Sequence, residues 1–217
     1  MKAGMIVTDL DGTLLRDDKT VSDFTIDVIK KYQSEGGIFV AATARPVRAA
    51  SEYMKMLNLD SGIFHNGAVI QEKGRTTGGY GVKNAGELVL AILKKYPFSN
   101  IAVEAEVEVT SLSEMEKYNA LLPDELYLQL SENKIGMIMN QSATKYNAIS
   151  FLAERYQIRM DDVIAFGDDY NDLEMIERCG KGIAVSNALE IVKSAAREVC
   201  ESNQKDGVAR WIKGNLL

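Results

Sequence analysis

The strongest constraint on the fold is an alternation between short aliphatic runs and stretches of helical period. Apolar runs fall at residues 6–10, 38–42 and 63–64, separated by helical patterns over residues 22–34 and 46–57. A short run with almost no polar face reads as a strand buried on both sides. Strands of that kind joined through helices form a parallel sheet with right-handed crossovers. Local signals agree with this reading. Ser22 stands where an N-cap belongs, Phe24, Val28, Ile29 and Tyr32 fall on one helical face, and Glu35-Gly36-Gly37 ends that helix. Pro46 opens the second helix, where its missing N–H costs nothing. The alternation returns with helix over 143–156, strand over 163–166, helix over 171–178 and strand over 182–185. Helix over 189–196, strand over 198–200 and helix over 208–212 complete it. The expected fold class is α/β, a doubly wound parallel-sheet core.

Residues 67–140 break this rhythm. Strand-like segments at 68–72 and 75–80 flank Lys73-Gly74 as a β-hairpin, and its glycine-rich continuation to Gly81 reads as flexible. A helix over 85–96 stops at Pro97, residues 101–109 alternate apolar and acidic side chains, and a helix over 113–119 precedes strands at 126–130 and 135–140. The expected organisation is a small α+β insert, residues 67–140, between the two halves of a core, residues 1–66 and 141–217. A chain of 217 residues accommodates both.

The formal net charge of −6 argues against nucleic acid as a partner, because phosphate-backbone binding favours a basic face. A small phosphorylated metabolite needs only a local cation. No segment approaches the roughly 20 apolar residues that span a bilayer, and the N-terminus has no signal-peptide pattern, so no membrane partner is expected. The two cysteines, Cys179 and Cys200, form no C-x-x-C, which fits a cytoplasmic protein with reduced thiols. The single histidine, His65, excludes a multi-histidine metal site. A bound metal must then be held by oxygen, which points to magnesium. Oligomeric state, monomer or dimer, stays open.

Four polar sites fall at or near the carboxyl ends of the core strands, where open α/β sheets bind ligands. Asp9 and Asp11, two residues apart, project from one strand end, and Gly12 permits a sharp turn after them. Thr43 follows the second strand, Lys145 lies near the start of the helix that re-enters the core, and Gly167-Asp168-Asp169-Tyr170-Asn171-Asp172 follows a later strand. Each taken alone has an ordinary explanation: a turn, a helix cap, a solvated lysine. Together they make a phosphoryl-transfer set, with a nucleophile, a proton donor and acceptor, and positive groups for the phosphoryl oxygens.

In order, Asp9-Leu10-Asp11-Gly12-Thr13, Thr43, Lys145 and Gly167-Asp168-x-x-x-Asp172 resemble the four motifs of the haloacid dehalogenase superfamily of phosphohydrolases. Ala42-Thr43-Ala44-Arg45-Pro46, Asn66-Gly67-Ala68 and Asp206-Gly207-Val208-Ala209 extend the resemblance to its Cof-type subgroup, with a C2 cap between the second and third motifs. The resemblance implies a magnesium-dependent phosphatase acting on a sugar phosphate or a phosphoglycolate-like monoester. It implies Asp9 as nucleophile forming an aspartyl-phosphate, and Asp11 as acid and base that also offers its backbone carbonyl to the metal. Thr43 and Lys145 would hold the phosphoryl group, and Asp168 and Asp172 would hold the metal, the latter through water or as outer support. Ala44, Arg45, Asn66 and Asn171 would line the substrate pocket, with Arg45 equally suited to a salt bridge and His65-Asn66 at the entry to the cap. Asn203 would support the Asn171 loop, and Trp211 would anchor the last helix. Two features depart from the subgroup: Ala44 replaces its usual glycine, and the insert is short. A phosphomannomutase-like phosphotransferase and a non-catalytic phospho-acceptor receiver are the alternatives.

Overall fold

The computed structural model describes residues 4–97, 122–131 and 135–217. It divides into two compact units, residues 1–79 with 144–217, and residues 80–143. In the first unit eight strands form one sheet. In chain order they are β1 (Met5–Thr8), β2 (Ile38–Ala42), β3 (Ser61–Phe64), β4 (Val69–Glu72) and β5 (Arg75–Gly78). The numbering passes over a two-stranded sheet of the second unit, β6 (Leu126–Ser131) and β7 (Ile135–Asn140), and resumes with β8 (Val163–Gly167), β9 (Lys181–Val185) and β10 (Glu198–Cys200). Across the large sheet the order is β10-β9-β8-β1-β2-β3-β4-β5.

The six strands from β10 to β3 run parallel. β1 pairs with β2 on one side and β8 on the other, so the winding reverses there and the carboxyl end of β1 opens onto the crevice. The registers Val7↔Val40 and Val7↔Ala165 show the aliphatic runs meeting side by side. Every residue of β1 and β8 is buried, which explains why those runs carry no polar alternation.

The helices of this unit are α1 (Asp23–Ser34), α2 (Val47–Met56), α4 (Lys145–Arg155), α5 (Leu173–Arg178), α6 (Glu190–Ala195) and α7 (Gly207–Asn215), with α3 (Ala85–Lys95) in the second unit. Ser22 caps α1 by accepting from the Thr25 N–H, and Pro46 stands at the cap position of α2. Trp211 of α7 lies edge-on to Phe166 at 5.5 Å between ring centroids and donates to Glu198. The last helix is thereby tied to β8 and β10, as its sequence suggested.

The hairpin departs from expectation. β4 pairs antiparallel with β3 in the register Ser61↔Glu72, and β5 pairs with β4, so residues 69–78 extend the core sheet instead of opening the insert. The first unit runs on to Gly79, whose φ of +134° and close approach to the Ala68 carbonyl exclude a side chain. His65-Asn66 therefore lies within the core rather than at the entry to a cap. In the second unit β6 and β7 form the expected hairpin, in the register Leu126↔Asn140. The strand and helix expected over 101–109 and 113–119 lie outside the described residues.

Candidate active site

The carboxyl end of β1 places Asp9 among three other elements. The Asp9 N–H continues the parallel ladder by donating to the Phe166 carbonyl at 3.0 Å, and its carboxyl group is buried. The next residues turn back at once, with the N–H groups of Leu14 and Leu15 both donating to the Leu10 carbonyl. Gly12, at φ +77°, is required in this turn because the Asp168 carboxylate occupies the space where a Cβ would stand. Thr13 Oγ1 donates to Asp168 Oδ1.

Lys145 enters as the first residue of α4, which Thr144 caps by accepting from the Asn147 N–H. Its ammonium is fully buried and donates to Asp9 Oδ1 and Asp172 Oδ1, each at 2.6 Å. Burial opposes the charged ammonium, but Asp172 and Asp9 more than reverse that and raise its pKa. Asp172 turns its other oxygen to the N–H groups of Asp168 and Asp169, at 2.9 and 3.2 Å. Both of its oxygens are thus engaged, which suits outer support of a metal better than direct ligation.

Asp9, Asp168 and Asp172 each offer a carboxylate oxygen within 4.8 Å of the others. Three carboxylates against one lysine leave two uncompensated negative charges. Burial, reinforced by Asp172 and Asp168 and opposed by Lys145, raises the Asp9 pKa well above the ordinary value. Burial raises Asp168 to about 6, despite the Thr13 hydrogen bond. All the donors are hard oxygens and the charge deficit matches a divalent cation, so the residues present fit magnesium.

Asp11 stands apart from that cluster. Arg45 forks onto it through Nε and Nη2, and Lys19 Nζ reaches Asp11 Oδ1 at 2.7 Å. Burial tends to raise its pKa, but the Arg45 and Lys19 hydrogen bonds outweigh burial and lower it. The arginine also stacks over Tyr53, 5.1 Å from the ring centroid, and Tyr53 donates to the Lys19 carbonyl. Arg45 thus forms a salt bridge, one of the two roles the sequence offered it.

Thr43 is buried at the end of β2; its N–H donates to the Ile63 carbonyl and its Oγ1 accepts from the Arg45 N–H. Ala44 is not among the left-handed residues, so the methyl group that replaces the subgroup's glycine meets no backbone conflict. Asn66 donates its N–H to the Thr43 carbonyl and accepts from Asn171 Nδ2 at 2.9 Å. The sheet therefore gathers Asp9, Lys145, Asp168 and Asp172 at one centre, Asp11 with Arg45 beside it, and Thr43, Asn66 and Asn171 as a hydrogen-bonded group.

Asn203 differs from expectation: its Nδ2 donates to the Leu15 carbonyl and Asp17, so it braces the loop after β1 rather than the Asn171 loop. Asn187 was missed. It donates to the Gly12 carbonyl at 2.7 Å and accepts from the Asn203 N–H. It follows β9, and the same attention to strand ends that found Thr43 would have found it. Lys19 and Tyr53 carried no separable sequence signal, whereas Thr13 closes the first motif.

A family described as haloacid dehalogenase-like hydrolase matches residues 6–106 and 92–212 of the chain. The 5-amino-6-(5-phospho-D-ribitylamino)uracil phosphatase of Bacillus subtilis is 25% identical over 262 aligned positions, covering 98% of this chain and 97% of its own. A phosphoglycolate phosphatase from Methanosarcina acetivorans is 29% identical over 230 positions, with coverages of 98% and 96%. The crystal structure of a haloacid dehalogenase-like hydrolase from Bacteroides thetaiotaomicron superposes with a TM-score of 0.83 at 23% identity, covering 98% of this chain and 99% of that one. A Thermoplasma acidophilum protein gives 0.82 at 16% identity and covers both chains completely. At these identities the structural likenesses speak to the fold.

Proposed function

The chain belongs to the haloacid dehalogenase-like hydrolases and is an enzyme of phosphatase type, and from that premise we propose that it hydrolyses a small phosphate monoester with magnesium, through an aspartyl-phosphate on Asp9. The observation that carries this reading is the buried Lys145 bridging Asp9 and Asp172 beside Asp168. Lys145 takes Oδ1 of Asp9, which leaves Oδ2 as the oxygen for attack at phosphorus. When bound, magnesium would be held by Asp9, Asp168 and the Asp11 backbone carbonyl, with Asp172 behind them, and would offset charge on the phosphoryl oxygens.

In the first step Asp9 bonds to phosphorus as the bond to the leaving alkoxide breaks, and Asp11 gives that oxygen a proton. In the second, Asp11 takes a proton from water, which attacks phosphorus and frees Asp9 and inorganic phosphate. Thr43 donates to the transferring group, and Lys145 balances charge throughout. The named relatives motivate the substrate class, either a sugar-alcohol phosphate or a phosphoglycolate-like acid. We assign the compact unit at residues 80–143 the role of substrate-selecting cap, and place the protein in the cytoplasm. Phosphate release from p-nitrophenyl phosphate with magnesium, followed by a panel of phosphorylated metabolites, tests the reading. Release no greater than that of an Asp9→Asn variant overturns it.

A further inference from the structure

The loop after β9 grips Asp168 from two sides, through residues outside the phosphoryl-transfer set. On one side the Leu189 N–H donates to the Asp168 carbonyl at 2.9 Å. On the other, Asn187 Nδ2 donates to the Gly12 carbonyl at 2.7 Å. Gly12 and Thr13 are the seat of the Asp168 carboxylate. That carboxylate fills the space a Gly12 Cβ would need, and Thr13 Oγ1 donates to its Oδ1. With φ at +77° and no side chain, Gly12 does not fix the rotation of the peptide that follows it. The hydrogen bond from Asn187 does, and a rotated Gly12–Thr13 peptide would carry the Thr13 hydroxyl off Asp168.

Asn187 is itself held in place. Its Oδ1 accepts from the Asn203 N–H at 3.0 Å, and the buried Asn203 donates from Nδ2 to the Leu15 carbonyl. Two asparagines bonded to each other thus hold the loop after β1 at Gly12 and at Leu15. Asn187 is nevertheless exposed to solvent. Removing an exposed side chain changes folding stability little in most proteins, so placing Asp168 and holding the fold are separable roles here.

Given Asp168 as a magnesium ligand, on which this rests, we propose that Asn187 is its positioning residue. By holding the Gly12 carbonyl, Asn187 fixes the Gly12–Thr13 seat and so sets how tightly the Asp168 carboxylate holds the cation. It touches neither metal nor substrate. Groups behind a metal ligand orient it, and their loss commonly weakens metal binding by about 10- to 100-fold.

Calorimetric titration of magnesium into the wild type, Asn187→Ala, Thr13→Val and the double variant tests the proposal, alongside melting curves of the four metal-free proteins. Neither substitution changes a charge, so any altered affinity reports placement rather than net electrostatics. Asn187→Ala should weaken magnesium binding about 10-fold while the metal-free melting temperature stays nearly unchanged. Its turnover of p-nitrophenyl phosphate should recover as magnesium approaches saturation. In the Thr13→Val background the same substitution should cost clearly less, because both residues act through one seat. Equal magnesium affinity in Asn187→Ala and the wild type overturns the proposal and leaves the metal reading standing. A weakened affinity accompanied by a large fall in metal-free melting temperature reduces Asn187 to a brace of the fold and overturns it as well. An equal loss in both backgrounds overturns the route through Thr13. Wild-type protein that binds no magnesium refutes the metal reading and the role of Asn187 together.

Discussion

Asp9 and Asp11 leave one strand two residues apart, yet the elements that meet them push their carboxyl groups in opposite directions. Asp9 lies where β1, the first residue of α4 and the loop after β8 converge, with one buried cation for three carboxylates. Burial and the neighbouring acids raise its pKa. Asp11 lies on the side reached by Arg45 and Lys19, two cations for one carboxylate, and they lower its pKa against burial. Identical side chains are thus sorted by tertiary surroundings, as acid–base pairs in enzymes commonly are. Each proposed role would still lack something: as the nucleophile Asp9 would need further positive charge to be ionised, and as the proton donor Asp11 would have to part from the Arg45 fork.

The contrast breaks most sharply by amidating each acid in turn. Asp9→Asn should lower turnover of p-nitrophenyl phosphate by roughly 10⁴-fold or more, since no other group replaces the nucleophile. Asp11→Asn should lower it by about 10²- to 10⁴-fold, the range for loss of a general acid–base, and a denaturation-stable phosphoryl group should accumulate on Asp9. Comparable losses without that phospho-enzyme, or near-normal rates in either variant, would show that the two acids do not divide the work as proposed.

Lys145 sharpens the Asp9 side of the comparison. Lys145→Met leaves Asp9 and Asp172 buried against each other without their shared cation, and breaking such a bridge typically costs about 3–5 kcal/mol. Urea unfolding of the metal-free protein at pH 7.5 measures this. The deficit should narrow at pH 5, where one carboxyl can hold a proton. An undiminished deficit would mean that the lysine acts through packing rather than charge.

Much of this centre was legible because buried parallel strands write themselves as aliphatic runs, and their carboxyl ends must converge. Asp9, Thr43 and Asp168 stand where that rule puts them, and their combination and motif order set them apart from ordinary turns and caps. The β4–β5 hairpin was misplaced because an antiparallel, half-wet pair does not encode which sheet it joins. The register Ser61↔Glu72 depends on residues distant in neither sequence nor space, yet it has no local pattern. The pairing of Asp11 with Lys19 was illegible for another reason. It depends on a loop that brings Lys19, at φ +65°, back across eight positions of chain. Asn66 was picked out by its motif, but only the fold shows that one of its donors is unpaired.

The smallest expected effect concerns the charge that Asp9 and Asp168 await. Asp168 stands at about 6 in the folded chain, above the ordinary carboxylate value near 3.8. The folded state therefore binds its proton more tightly than the unfolded state between those values. This contribution to metal-free stability is full below about pH 4 and is lost as pH rises through 6, amounting to up to about 3 kcal/mol before solvent screening. Asp168→Asn removes one negative charge while retaining an acceptor for Thr13, so the metal-free variant should melt higher than the wild type at pH 7.5 and show little difference at pH 4.5. Magnesium competes with that proton, so its stabilisation of the wild type should be larger at pH 7.5 than at pH 5 and nearly absent in Asp168→Asn. Melting curves at the three pH values, with and without magnesium, read all of these shifts together. A magnesium shift that is independent of pH and survives the substitution would place the cation away from Asp168, and the division of labour between Asp9 and Asp11 would then need a different source of charge.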